Sequence, residues 1–480
     1  MTTSRRGSPS RLSLFAALAT IAAAAALLAL GRRRALEAGG ERRRKAIEQT
    51  GRRLPRVVIL GGGLGGLFCA RALKNAPVEV VLIDKANHYL YQALIYQVAT
   101  GLLGEGEVAM PIRERVGGNA NTYVVMAEVT GVDVLARKVT VAGGDTYAYD
   151  YLVLATGLEP DYFGHEDWAE YAPTLKTLED ALELRERILG TFEEAELLDD
   201  PTCCPELTTF VLVGAGATGV EMAGALADMV RYTLPHDFKR FDPRWTRIVL
   251  VEAGPRVLPG FSPETSAKVD AKLRSMGVEI RLDSPVELID AQGVVASGER
   301  IASRNVIWTA GVRATRVGLW ADLITDRLGR IQVEADLSVP GHPEIFAIGD
   351  LAHCEVCGET LPCVAQVALQ GGRYVGRSIA WRETGQPQSP LVMGGTPPGP
   401  FDYFDKGYLA AVGRNYAVME TLHGKVKLAG RPAKLIWAFI HLLYQMPNSD
   451  KVTMFTKWAW TTATRQLGTR VIVERAPRRP

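Results

Sequence analysis

Two stretches of this 480-residue chain have the residue types and spacing to hold a pyrophosphate. The first is Gly61-x-Gly63-x-x-Gly66, preceded by the apolar run 57–60 and followed by a helical pattern of Phe68, Cys69, Ala72 and Leu73. The second, Gly214-x-Gly216-x-x-Gly219, follows the apolar run 210–213. In each, the first glycine permits a tight turn, the second lets backbone approach phosphate, and the third lets a helix pack close to its strand. The helix N-terminus then points its free N–H groups at the anion. An acid closes the next apolar strand in both cases: Asp84, 23 residues after Gly61, and Glu252, 38 residues after Gly214. Both carboxylates are placed to accept hydrogen bonds from an adenosine ribose. The longer second gap implies an insertion, and residues 232–245 supply it. Two further small-residue turns end buried strands. Thr156-Gly157 offers backbone contact to a cofactor already held at the first turn, and Gly349-Asp350 offers a close approach and a carboxylate for a ribityl hydroxyl.

Positioning these residues takes two strand–turn–helix units, and therefore two doubly wound α/β domains. The first unit receives later strands, as a tightly held FAD requires. The second sits within a compact insertion, as expected for an exchangeable nicotinamide. Glu252 accepts from a free ribose 2′-hydroxyl and repels a 2′-phosphate, so NADH is favoured over NADPH, with Arg256 nearby acting in the opposite sense. Residues 87–101 read as a core helix or as a cover for a flavin ring. They contain no Cys-x4-Cys pair, which counts against a flavin disulfide reductase. Short strands at 123–128, 138–141 and 146–149 suggest an antiparallel meander. Residues 175–189 suggest a connecting helix, and 328–333 a hairpin.

Composition is that of a folded chain, 47% hydrophobic and 22% charged. A net charge of +2 from 55 basic and 53 acidic residues argues against general nucleic-acid binding. Six cysteines (69, 203, 204, 354, 357 and 363) are too few and too clustered for a disulfide framework. His353, Cys354, Cys357 and Cys363 lie in one short loop without a second paired motif, so no metal site is assigned. Residues 12–30 form an uncharged apolar run that as a helix reaches about 28 Å, near one hydrocarbon thickness. The denser basic flank follows it, placing the body on the cytoplasmic, matrix or stromal side if the run is an anchor. A transit peptide and a cleaved signal are the alternatives.

Taken together, these motifs resemble the type II NADH dehydrogenases, single-subunit NADH:quinone oxidoreductases of respiratory electron transport. The blocks Ile95–Thr100, 151–157, 218–221, 251–256 and 348–353 stand in family order. Ala365-Gln366-x-x-x-Gln370 matches the family's quinone-site pattern. On a helix the two glutamines, four apart, share one face. The resemblance implies a glutathione-reductase-like fold of two Rossmann-like domains with a C-terminal membrane-associating helical region. It places FAD at the first turn, NADH at the second, and a membrane quinone beside Gln366 and Gln370. It gives Glu221 a place between the nicotinamide and quinone pockets, and sets Lys406, in the block 401–407, close to flavin and quinone. The implied domains are a targeting or anchor segment (1–54), a discontinuous FAD domain (55–170 and 315–390), an NADH domain (171–314) and a membrane-associating region (391–480). The apolar runs 434–444 and 452–460 are too short to span a bilayer and fit helices lying on its surface. Whether they also form a homodimer is left open. The rival readings are a sulfide:quinone oxidoreductase and an NADH-binding flavoprotein that acts as sensor or partner.

Overall fold

The computed structural model describes residues 53–200, 204–356, 358–385, 398–421, 424–444 and 448–472. The expected anchor at 12–30 and Cys203 and Cys357 lie outside the described residues.

The apolar run before the first glycine turn is the strand Arg56–Leu60, its last four residues fully buried. It pairs in parallel with Glu79–Asp84 on one side and Tyr151–Leu154 on the other. The sheet extends outward to Thr122–Met126 at one edge, and through His342–Ala347 to the short antiparallel Ser338–Val339 at the other. Buried alternation explains why these strands read as unbroken apolar runs: Val57 and Ile59 pack into one core, Val58 and Leu60 into the other. The strand order reverses between Arg56–Leu60 and Tyr151–Leu154, which leaves a crevice beyond their C-terminal ends.

The second unit repeats the plan with four parallel strands in the order Val278–Arg281, Arg247–Val251, Thr209–Val213, Asn305–Trp308. Phe210 and Leu212 face the core that includes Leu226 of the helix Ala217–Asp228. Val211 and Val213 face a core completed by Ile289, Val294 and Ile301 of a three-stranded antiparallel layer. Two antiparallel strands, Leu158–Pro160 and Val312–Ala314, run between the units.

Several expectations change. Residues 123–128 do not begin the meander; Thr122–Met126 is a parallel edge strand of the main sheet. The meander's first strand is Val129–Asp133, followed by Lys138–Val141 and Thr146–Ala148. Val124 and Val125 are recruited by pairing with Leu82 and Ile83, more than 40 residues upstream, which local alternation does not report. Residues 87–101 are not one helix but a short strand, His88–Leu90, a 3₁₀ turn and the helix Ile95–Ala99. The connecting helix spans Leu178–Leu197, starting where Thr177 and Asp180 form a capping box. In place of a simple hairpin at 328–333, Ile331–Gln332 pairs in parallel with Ala352–His353.

The C-terminal region adds a three-stranded sheet (Tyr408–Ala411, Ala417–Thr421, Val426–Gly430) and two helices, Arg431–Tyr444 and Asn448–Thr464. Among the described residues no helix is long and apolar enough to cross a membrane. The first of these helices buries Ala433, Trp437 and His441 on one face while leaving Leu435, Phe439 and Leu443 exposed at 73%, 65% and 56% on another.

Candidate functional site: two nucleotide clefts and a glutamine-bearing helix

At the first turn Gly61 has φ +104°, and a Cβ there would overlap the Ala155 carbonyl oxygen. A Cβ on Gly66 would overlap the Gly61 carbonyl oxygen, whereas one on Gly63 would meet no atom within 4 Å. The middle glycine therefore faces open space at the start of the helix Leu64–Ala72. The second turn repeats this: Gly214 has φ +100°, Gly219 abuts the Gly214 carbonyl oxygen, and Gly216 is open.

Both acids brace their own turns. Asp84 accepts from the Gly62 N–H at 2.5 Å and the Ala86 N–H at 2.7 Å. Glu252 accepts from the Ala215 N–H at 2.7 Å and the Gly254 N–H at 2.8 Å. A carboxylate has about four acceptor positions, so each retains capacity for a ribose hydroxyl while fixing the turn. Sequence spacing pointed to the ribose alone and missed the bracing. Glu252 also borders a cavity of about 250 Å³ at the C-terminal ends of the second sheet, with Gly214, Ala253, Pro285, Trp308 and Ala310.

Thr156 and Gly157 follow the strand Tyr151–Leu154. The Thr156 hydroxyl meets that of Thr315 at 2.5 Å, tying the two crossing segments together, and Gly157 has φ +70° with open space beside it. Gly349 has φ +68° and lies under Ala368 of the helix Ala365–Thr384. Burial raises the Asp350 carboxyl above its usual range, with Lys176 opposing. These features fit FAD: an open glycine at a helix N-terminus for its pyrophosphate, and a desolvated carboxyl that a ribityl hydroxyl can satisfy.

The helix bearing the glutamines packs on the first-turn helix through backbone. A Cβ on Gly372 would overlap the Gly65 carbonyl oxygen, and one on Gly376 would press on Ala72 and the Cys69 carbonyl at 2.7 Å. The two glutamines differ. Gln370 donates to the Phe404 carbonyl at 3.0 Å and accepts from the Phe404 N–H at 3.1 Å, so its amide clamps segment 401–407. Gln366 has its amide oxygen buried without a protein hydrogen-bond partner. An unmet buried acceptor is costly unless a ligand donates to it. Lys406 Nζ donates to the Tyr444 hydroxyl at 2.9 Å. Burial pushes that phenol up, but Lys406, Gln366 and Arg373 outweigh it and hold it below its ordinary value. Tyr444 went unnoticed in the sequence because it looks like one more aromatic in an apolar helix.

Glu221 is buried on the second-turn helix and accepts from the Ala411 N–H at 3.0 Å. Burial lifts its carboxyl to about 7, against the Ala411 bond, Lys434 and Trp437. Burial also lowers Lys434 to about 8, with Glu221 and Asp228 opposing. Glu221 thus stands where the second-turn helix, Tyr96 and the C-terminal region converge. Cys354 is buried and Cys363 exposed, and both thiols are pushed above their ordinary value, mainly by burial. No group able to hold a metal ion occurs among the described residues.

Residues 55–372 match the family described as pyridine nucleotide-disulphide oxidoreductase. The type II NADH:quinone oxidoreductase Ndh of Mycobacterium tuberculosis is 40% identical over 437 residues, covering 87% of this chain and 90% of that protein. NdhA of the same organism, bearing the same description, is 39% identical, with 84% and 86% covered. In three dimensions, NDH2 from Plasmodium falciparum, solved with NADH, superposes with a TM-score of 0.77 at 18% identity over 88% of this chain and all of that one. The sulfide:quinone oxidoreductase of Aquifex aeolicus shares the fold with a TM-score of 0.65 at 17% identity, covering 85% and 95%. With its paired glycine turns, matching family profile and close relatives over most of its length, this chain belongs to the pyridine nucleotide-disulphide oxidoreductases, and within them to the type II NADH:quinone oxidoreductases.

Proposed function

We propose that this chain oxidises NADH and passes two electrons to a membrane quinone, with FAD seated at Gly61, Gly63, Gly66, Asp84, Thr156, Gly157, Gly349 and Asp350. NADH occupies the cleft of Gly214, Gly216, Gly219 and Glu252, and no proton pumping accompanies turnover. The observation that carries this reading is the helix Ala365–Thr384. It is pressed by backbone onto the first-turn helix and presents the unmet Gln366 oxygen beside Tyr444 and Lys406.

Bound FAD supplies a ring system that accepts two electrons from a nicotinamide and yields them to a quinone. The chain's residues position and protonate. Glu252 orients the NADH ribose. Gln366 accepts a hydrogen bond from a quinol hydroxyl, and Gln370 holds segment 401–407 against the helix. The Lys406–Tyr444 pair keeps a proton-bearing hydroxyl at the quinone end, and Glu221 sets the charge where the NADH unit meets the C-terminal region. The exposed face of Arg431–Tyr444 seats the protein on the bilayer, where its quinone dissolves. The buried Cys354 thiol, raised above its ordinary value, is a poor nucleophile at neutral pH, which counts against its serving sulfide as the reductant.

Purified protein is expected to consume NADH rapidly only when quinone is supplied; sulfide-driven quinone reduction with no NADH-driven rate would reverse the assignment. Glu252→Ala is expected to narrow the kcat/KM preference for NADH over NADPH by about 10–100-fold, the worth of one charge-assisted hydrogen bond and a removed repulsion. An unchanged ratio between the two cofactors would remove Glu252 from that role.

A further inference from the structure

Residues 161–165 precede the second strand–turn–helix unit in the chain, yet they are fastened to its cleft. The Trp308 indole, ending the strand Asn305–Trp308, donates to the Asp161 carbonyl oxygen at 3.0 Å, and the Asp161 N–H donates to the Gly311 carbonyl at 3.3 Å. Tyr162, buried, stacks on Trp308 with ring centres 5.1 Å apart, and Trp168, also buried, meets the same indole at 5.8 Å. Phe163 is different. Its backbone is left-handed at φ +55°, where L side chains are uncommon, and the residue is 62% exposed. The turn is shaped around it. The Phe163 N–H donates to the Asp161 carboxylate at 2.9 Å, and Gly164 follows at φ +91°. A Cβ on Gly311 would overlap the Phe163 ring.

This arrangement gives the fold little, because Tyr162 and Trp168 already cover Trp308. Backbone strain of this kind collects at ligand clamps. Phe163 borders the cavity of about 250 Å³ that Gly214 and Glu252 also line. Glu252 is the carboxylate assigned to the adenosine ribose, so the group of the dinucleotide that reaches this cavity is the base joined to that ribose. Val251, Pro285 and Val286 give the cavity apolar walls, with Ser284 as a polar group among them. Such a lining suits a flat heteroaromatic ring better than a phosphate or a second sugar. An aromatic side chain can stack on the face of any base.

We propose that Phe163 binds NADH by stacking on its adenine, so that the dinucleotide is clamped by a turn lying outside the unit that takes its pyrophosphate. The inference rests on the NADH reading given above, and adds to it the side chain that holds the base.

Phe163→Asn removes the ring and supplies a residue that tolerates the left-handed backbone, so flavin content and melting temperature are expected to stay at the parent's values. Phe163→Gly removes both ring and strain and is expected to behave alike. Quinone reduction is measured with NADH and with reduced nicotinamide mononucleotide, which lacks the adenosine half. Both variants are expected to raise the NADH KM on the order of tenfold with kcat kept, and to leave kcat/KM for the mononucleotide unchanged. Phe163→Tyr, which retains a ring, is expected to keep the parent's NADH KM. Titration calorimetry with ADP-ribose, which has the adenosine half and no nicotinamide, is expected to show weaker binding by about the same factor in Phe163→Asn. The proposal is overturned if Phe163→Asn and Phe163→Gly keep the parent's ratio of kcat/KM between the two substrates, if they impair both substrates equally, or if ADP-ribose binds parent and variants alike. A parent with no NADH-driven quinone reduction would overturn the NADH reading itself.

Discussion

Gly66→Val is expected to give protein that retains no flavin and oxidises no NADH. The position has no room on its helical side, since even a Cβ would overlap the Gly61 carbonyl oxygen and come within 3.1 Å of Ile59. Accommodating valine means lifting the helix Leu64–Ala72 off the strand Arg56–Leu60, which opens the turn that presents N–H groups to phosphate. Such overpacking against backbone belongs with substitutions costing more than about 4 kcal/mol, a large share of the roughly 5–15 kcal/mol that holds a domain together. Gly63→Ala provides the contrast. Its Cβ meets no protein atom, so the melting temperature of the flavin-free protein should stay at the parent's value while flavin affinity falls. Flavin absorbance of the purified variants and thermal melts read both. A flavin-replete Gly66→Val enzyme would falsify the role given to this turn.

Glu221→Gln is expected to remove a pH dependence centred near neutrality. Burial raises this carboxyl from 4.5 to about 7, so the folded protein holds a proton that the unfolded chain releases. A raised pKa contributes stability that is fully present below about 4.5 and is lost as pH climbs through about 7. A shift of this size corresponds to roughly 3 kcal/mol. Lys434 runs the other way: lowered from 10.5 to about 8, its contribution is present above 10.5 and lost as pH falls through 8. In the parent, melting temperature should decline between pH 5 and 8, and kcat should change near 7. Glutamine keeps an acceptor for the Ala411 N–H but cannot titrate, so both slopes should flatten. Glu221→Leu instead orphans that N–H at a cost of about 1–3 kcal/mol, which separates loss of charge from loss of the bond. Parallel pH profiles for parent and Glu221→Gln would sink the assignment.

The glycine turns were legible because the first and third glycines of each meet a steric demand from the chain itself, the middle one leaves open space at a helix start, and all three recur at fixed spacing. The return of Gly349-Asp350 to the first sheet was legible from the apolar run 345–348, fully buried where it ends the strand His342–Ala347. What could not be read is contact across the chain. Ala411 reaches Glu221 over 190 residues, and Gln370 reaches Phe404 over 34. Neither pairing leaves a local pattern, since any backbone N–H can serve any carboxylate. The edge strand Thr122–Met126 was misplaced for the same reason: its partner, not its own alternation, determines its sheet. Spacing put the two glutamines on one helix, but it does not reveal that Gln370 has both ends of its amide occupied while the Gln366 oxygen has none.

In the proposed quinone site, the backbone contact between the helices Leu64–Ala72 and Ala365–Thr384 would be the unyielding side. With glycine at Gly372 and Gly376, no side chain can rotate away there to admit a bulkier molecule. Segment 401–407 has no regular secondary structure before Tyr408, is clamped by Gln370, and leaves Phe404 66% exposed. On that proposal, an inhibitor larger than the quinone ring is expected to gain its space by displacing Phe404 and breaking its two hydrogen bonds to Gln370. Resistance and selectivity among inhibitors should accordingly track substitutions in 401–407 and at Gln370 rather than at the helix crossing.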